Sequence, residues 1–264
     1  MALAGIFIWS QPSYAQYYIK ILGYSADTIY PKLKNATSPE KMHLYNQLAF
    51  YHSLSDVDSA LFYGEKALEL AEKYEDRLQE GAALRNMGNA YALAGNYREA
   101  VINLQQALNI FTALEEARKL AELYFDLGKL NYDLEDYEKS LEYAEKYMLL
   151  TDRESAKGNS LATPLEGAII LGLVGGAARE AGNYTLAEKY FKDYIQLSEQ
   201  FTVPNSIHTT WIKSLGEVYE HAEKLDSALK YTYMARSSLP ENKDKPFTEH
   251  TGYEASIGQI FWQL

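Results

Sequence analysis

The side chains able to do chemistry are numerous, but none stands in a reactive arrangement. Five histidines, His43, His52, His208, His221 and His250, are scattered along the chain. A helical zinc site needs a spacing such as His-Glu-x-x-His, and no pair has it. Cysteine is absent, which removes disulfides, thiol catalysis and zinc thiolates. No Gly-x-x-x-x-Gly-Lys run is present to cradle a phosphate, and no Gly-x-Ser-x-Gly elbow to raise a nucleophile. Paired carboxylates such as Glu115-Glu116 and Glu135-Asp136 belong to polar helix faces or turns, where solvation accounts for them. The 23 tyrosines recur at packing positions, with hydroxyls that reach an edge. The chain therefore reads as non-catalytic, with no metal and no cofactor.

A formal charge of -11 and a pI near 5.0 make a surface that repels phosphates, and basic residues do not cluster, so nucleic acid is excluded as a partner. With 47% hydrophobic residues over 264 positions the chain can bury a continuous core, as one elongated unit if it is built from repeats. The lack of cysteine suits a reducing or an oxidising compartment equally.

The elements that position these side chains are clearest between Leu84 and Ala107. Leu84, Met87, Gly88 and Tyr91 share one helical face, Gly95-Asn96 is a turn signal, and Tyr97, Ala100, Leu104 and Ala107 mark a second face. Such a helix-turn-helix hairpin buries both faces only when copies flank it. The copies are visible in two registers. Ala60, Ala100, Ser140, Ala187 and Ala228, where two helices cross, are spaced 40, 40, 47 and 41 residues apart. Ala49, Gly88, Gly128, Gly175, Gly216 and Gly258, on the preceding helices, are spaced 39, 40, 47, 41 and 42. Two registers with one period mark an internal repeat. Tyr124, Leu127, Gly128, Tyr137, Ser140 and Ala144 carry the next unit; Leu171, Gly175, Tyr184, Ala187 and Phe191 the fourth; Ile212, Gly216, Tyr219, Ala228 and Ala235 the fifth. Ile257, Gly258 and Phe261 begin a sixth.

These residues resemble the tetratricopeptide (TPR) repeat, from about residue 42 to the end. The departures are mild: Asn131 and Ala178 replace an aromatic, Gly64 and Thr232 replace the second-helix aromatic, and the first turn is one residue short. The resemblance implies an all-α fold, a right-handed α-solenoid of TPR hairpins, that binds a protein or peptide in a concave groove. The period, longer than the family's usual one, resembles bacterial signalling variants. The longest gap holds Thr151 to Pro164, a polar insertion that reads as an extended connection ending in a Thr163 cap with proline at N1.

By the same resemblance the groove is lined by first helices: Arg85, Asn86 and Asn89; Phe125, Asp126, Lys129 and Tyr132; Gly172, Leu173, Gly176 and Arg179; Lys213, Ser214, Glu217 and Glu220. Arg85 and Asn89 stand at i, i+4 and share a face. Mixed charge, with open space at Gly172 and Gly176, suits a peptide or protein segment. The carboxylate clamp of chaperone-tail-binding relatives is incomplete: Arg85 and Asn89 fit, but Asp126 replaces an asparagine, and Ile169 and Leu173 replace basic residues.

Residues 1–16 resemble the end of a secretory signal peptide: Ala2 to Trp9 is apolar, too short to span a bilayer, and Ser13 and Ala15 supply the small residues of a cleavage site. No basic residue precedes the run. Residues 17–37 read as a capping segment, with a short helix over Tyr17 to Leu33 that is interrupted near Gly23-Tyr-Ser and closed by Tyr30-Pro31, and residues 38–264 as the array: five hairpins and the first helix of a sixth, starting with Ser38 as N-cap. The apolar half-hairpin Gly258 to Leu264 reads as severed, so that any membrane attachment runs through a segment outside this chain. Together these features resemble the periplasmic TPR sensor region of Bacteroidetes membrane-bound sensor kinases and regulators. The expected function is a non-catalytic scaffold for signal input, exported to the periplasm, with a cytoplasmic location as the alternative. A free-standing assembly adaptor, or the recruiting arm of an enzyme, would share the fold.

Overall fold

The computed structural model describes residues 25–161, 163–200, 205–238 and 256–262, and every regular element among them is a helix. In chain order these are α1 (Ala26–Leu33), α2 (Ser38–His52), α3 (Val57–Lys73), α4 (Arg77–Leu93), α5 (Tyr97–Ala113), α6 (Ala117–Asp133), α7 (Tyr137–Ala156), α8 (Pro164–Glu180), α9 (Tyr184–Ser198), α10 (Asn205–His221) and α11 (Leu225–Ser237). A helical stretch at 256–262 follows. The all-α repeat fold implied by the sequence is the one observed. The expected signal segment, residues 1–16, lies outside the described residues.

The described helices group into two compact units, one within residues 25–135 and 145–161, the other within residues 136–144, 163–200, 205–238 and 256–262. In the first, α2 packs with α3, α3 with α4, and α4 with α5; in the second, α8 packs with α9, and α10 with α11.

The periodic small residues set how closely the helices cross. Ala49, Ala60, Ala100, Ala187 and Ala228 are fully buried, as is Ser140 within 1%. A Cβ on Gly88 would lie 2.7 Å from Leu104, and one on Gly175 2.7 Å from Phe191. In these two hairpins the first helix touches the large side chain four residues beyond the small one, Leu104 after Ala100 and Phe191 after Ala187. Where Gly64 replaces that large residue, Met87 enters from α4, 2.5 Å from where a Cβ would be.

The turns share one chemistry. Gly95 and Gly182 have φ of 76° and 78°, and Glu75, Glu115, Glu135 and Glu223 take the same left-handed conformation at φ between 54° and 60°. The next residue's N–H then reaches back to close the helix, as from Asn96 to the Tyr91 carbonyl at 2.9 Å and from Asp76 to the Ala71 carbonyl at 2.9 Å. In the first hairpin, one residue shorter here, α2 stops at His52, and Asp56, extended at φ -142°, caps α3 by accepting from the Ser59 N–H at 3.2 Å.

Three local expectations shift. The N-cap of α2 is Thr37 rather than Ser38, because the Thr37 N–H and hydroxyl both donate to Glu40 Oε2, at 2.7 and 2.8 Å. α1 does not close at Tyr30-Pro31 but passes through Pro31 to Leu33; residues 17–24 of that expected helix lie outside the described residues. The insertion is partly helix, since α7 runs to Ala156, and its loop is pinned by Arg118 donating to the Ser160 carbonyl at 3.1 Å. Thr163 caps α8 as expected, accepting from the Glu166 N–H at 3.2 Å.

Candidate functional site: the first-helix faces

In the first unit the polar residues of α4 and α6 converge. Arg85 donates through Nε to Asp126 Oδ2 at 2.6 Å and through an Nη to Glu122 Oε2 at 2.6 Å. Asn89 Nδ2 adds a bond to the same Asp126 oxygen at 2.8 Å. The Arg85 and Asp126 side chains are 9% and 5% exposed, so the pair is charge-assisted in a low-dielectric setting, where removal of one partner strands the other. Burial pushes the Glu122 carboxyl up, but Arg85, Lys119 and Arg118 outweigh it and hold the carboxyl below its ordinary range. Lys119 reaches Glu122 at 2.9 Å.

One helical turn on, Lys129 lies over the Phe125 ring at 5.6 Å, and its ammonium is lowered by burial against the pull of Asp126 and Asp133. Asp133 is pushed up to about 6 by burial, with Lys129 opposing. Its Oδ1 is buried without a hydrogen-bond partner among the described residues.

The expected groove residues thus separate by accessibility. Asn89 and Lys129 are half-buried, whereas Arg85, Phe125, Asp126 and Tyr132 are buried. Asn86 is not presented on this face. Its Nδ2 donates to the Asn46 carbonyl at 3.0 Å, and Asn46 donates to the Gln79 carbonyl at 3.0 Å, tying α4 to α2. The Arg85–Asn89 pair holds a carboxylate after all, that of Asp126, and a ligand carboxylate would have to displace it.

In the second unit Arg179 of α8 makes short contacts with Glu217 and Glu180 and donates to Ser214 Oγ at 3.1 Å. Lys213 pairs with Glu217 at 2.9 Å, and Gln259 reaches Glu220 at 3.3 Å. Arg179, Lys213, Glu217 and Glu220 are half-buried and keep a solvent edge. The open space expected at Gly172 and Gly176 is not there. Both are buried with Leu173, and a Cβ on Gly172 would stand 2.3 Å from Trp211 Nε1. The missing side chain lets the α10 indole pack against α8 instead of leaving room for a ligand.

Two participants were not singled out in the sequence, Glu122 and Trp211. Glu122 stands four residues before Asp126, so helical spacing alone places both on one face. Nothing local marks Trp211, whose partner Gly172 is a whole repeat away. Among the described residues no group of histidines and carboxylates is placed to hold a metal, and no helix is long and apolar enough to cross a membrane.

Comparison with known proteins places this geometry. The family model of the SusR N-terminal TPR domain matches residues 27–245. A human protein, SH3 domain and tetratricopeptide repeat-containing protein 2, is 32% identical over 107 residues, covering 36% of this chain; the match spans 8% of that relative's length. Among solved structures, the chain is similar to a Rap protein complexed with competence and sporulation factor, with a TM-score of 0.63, 19% identity, 89% of this chain and 67% of that one covered. It is also similar to the apo quorum sensor NprR from B. thuringiensis, with a TM-score of 0.63, 18% identity, 94% of this chain and 67% of that one covered. At those identities the likeness is one of fold.

Proposed function

The chain belongs to the SusR N-terminal TPR domain family, and on that premise we propose that it is a non-catalytic scaffold that captures a protein or peptide on its first-helix faces, as the signal-input region of a bacterial regulatory protein. One observation carries the reading. On α4 and α6 the buried Arg85–Asp126 pair, with Glu122, backs the half-buried Asn89 and Lys129, and on α8 and α10 Arg179 and Lys213 converge on Glu217 at a solvent edge, beside Glu220. Side chains fixed in this way lose little freedom when a partner binds, which favours recognition.

Support comes also from the names of the structural neighbours. One was solved with competence and sporulation factor and another is a quorum sensor, so the fold has been put to signal reception elsewhere. The family's description places its domain at the N-terminus of a longer protein, which is the position of an input module. Periplasmic location is part of the proposal and rests on residues 1–16; mass spectrometry of the mature chain is expected to find it beginning after Ala15.

The binding reading is tested by placing a photo-crosslinking amino acid at Asn89 or Lys213, and at Val101 or Leu149 on second helices, in the full-length protein in its native cell. Crosslinks to one identified protein or peptide from the first pair, and not from the second, are expected. Crosslinks confined to Val101 and Leu149 would move the site to the opposite helices.

A further inference from the structure

The short helix α1 meets the first hairpin through two kinds of contact. Ala26 and Ile29 pack on Leu48, with Leu33, Leu44, Tyr51 and Tyr63 around them. Beside that apolar contact, the Tyr30 hydroxyl stands 2.8 Å from His52 Nε2. Burial holds the Tyr30 hydroxyl up at about 12, so it keeps its proton and can donate to an unprotonated Nε2. His52 Nδ1 lies 3.7 Å from Asp56 Oδ2, which favours the neutral tautomer with its proton on Nδ1 and Nε2 free to accept.

The imidazole is enclosed on several sides. Tyr63 of α3 stacks on it at 5.8 Å and 19°, Tyr51 of α2 meets it edge-on at 5.1 Å, and the Tyr30 ring of α1 lies 6.4 Å away. Only 13% of the side chain is exposed. Asp56, like the C-terminus of α2 where His52 sits, favours the imidazolium. Yet burial prevails, and the ring titrates below its ordinary value of 6.5. Asp56, Tyr51, Tyr63 and the end of α2 all belong to the hairpin and stay beside His52 whether or not α1 is docked. What α1 itself adds is burial, which disfavours the charged ring; the Tyr30 hydroxyl can face either form, donating to a neutral Nε2 or accepting from a protonated one.

We propose that α1 is a proton-sensitive cap, docked on the first hairpin while His52 is neutral and released as His52 takes up a proton. The direction follows from linkage: a helix whose docking lowers the proton affinity of His52 is itself docked less tightly, by the same factor, once His52 is protonated. Docking is at full strength above the pKa that His52 has with α1 released. It weakens by up to about tenfold for each pH unit below that, until the docked ring has itself titrated. The helix is small enough to respond, with eight residues, two of them buried, and Pro31 inside it. Its release uncovers Leu48, Tyr51 and Tyr63, an apolar patch that becomes available only in acid.

The test is an NMR titration of the His52 ring in the full chain and in Ile29→Asn, chosen to dislodge α1 without adding a charge, together with hydrogen exchange of the 26–33 segment at about pH 7.5 and about pH 5.5, corrected for intrinsic rates. The expected results are a lower His52 pKa in the wild type than in Ile29→Asn, and a loss of α1 protection of about three- to tenfold in acid. His52→Gln keeps an uncharged acceptor for Tyr30 and is expected to abolish that loss. An equal or higher His52 pKa in the wild type overturns the proposal, as does an acid loss that persists in His52→Gln. The exchange comparison is a ratio within each variant, so a weaker but folded variant still decides the question.

Discussion

Gly172→Ala is the sharpest test of how the second unit packs. The new methyl would stand 2.3, 2.5 and 2.6 Å from three atoms of the Trp211 indole, where carbon contacts are comfortable at about 3.5–4 Å. Trp211 is 2% exposed and stacks on Phe191 at 6.0 Å, so a rigid bicyclic ring would have to retreat by about an ångström within a filled core. Overpacking of this kind costs about 1–3 kcal/mol, while exchanging a mid-helix glycine for alanine returns up to about 1 kcal/mol. The net expectation is a loss of about 1–2 kcal/mol. Two controls share the propensity gain. Gly64→Ala meets the flexible Met87 chain at 2.5 Å, and Gly258→Ala meets nothing within 4 Å; the first is expected to be near neutral and the second neutral or slightly stabilising. Urea unfolding followed by tryptophan fluorescence and circular dichroism reads all three. Gly172→Ala as stable as the wild type, or Gly258→Ala equally damaging, would show that the Trp211 contact does not limit the packing of α8 against α10.

Other consequences concern charges and turns. Asp126→Ala strips Arg85 of one buried partner and leaves Glu122, so calorimetry is expected to show a loss of about 3 kcal/mol, against about 1 kcal/mol for Asn89→Ala. Glu115 holds a left-handed φ of 54°, and Glu115→Gly should stabilise the chain by about 1 kcal/mol in urea titration. Asp133 binds its proton more tightly folded than unfolded, so its contribution is most favourable below the ordinary value of 3.8 and declines as pH rises toward about 6. Asp133→Asn is therefore expected to stabilise the protein by up to about 2–3 kcal/mol near pH 7.5 and by less near pH 5; an equal gain at both pH values would point to another cause.

The hairpins were legible because the crossing of two helices tolerates only small side chains, and Ala60, Ala100, Ser140, Ala187 and Ala228 keep that register through the insertion. Gly95-Asn96 announced its turn. The glutamates at 75, 115, 135 and 223 did not, since their left-handed backbone is imposed by the helices they join rather than by their own preference. The candidate site was readable as a face but not as a surface. Helical spacing put Arg85 and Asn89 together, yet their exposure depends on Asp126 and Glu122, 37 to 41 positions away. Gly172 misled for the same reason: a glycine reads as empty space until the residue that fills it, Trp211 from the next repeat, is in place. Asn86 shares its helix with Arg85 but bonds backward to Asn46.

In the proposed function the partner is held by the first helices. Hydrogen exchange of the whole chain, with and without the partner identified by crosslinking, tests it most directly. Slower exchange is expected in segments from α4, α6, α8 and α10, with α5, α9 and α11 unchanged. Protection confined to α5, α9 and α11 would contradict the claim.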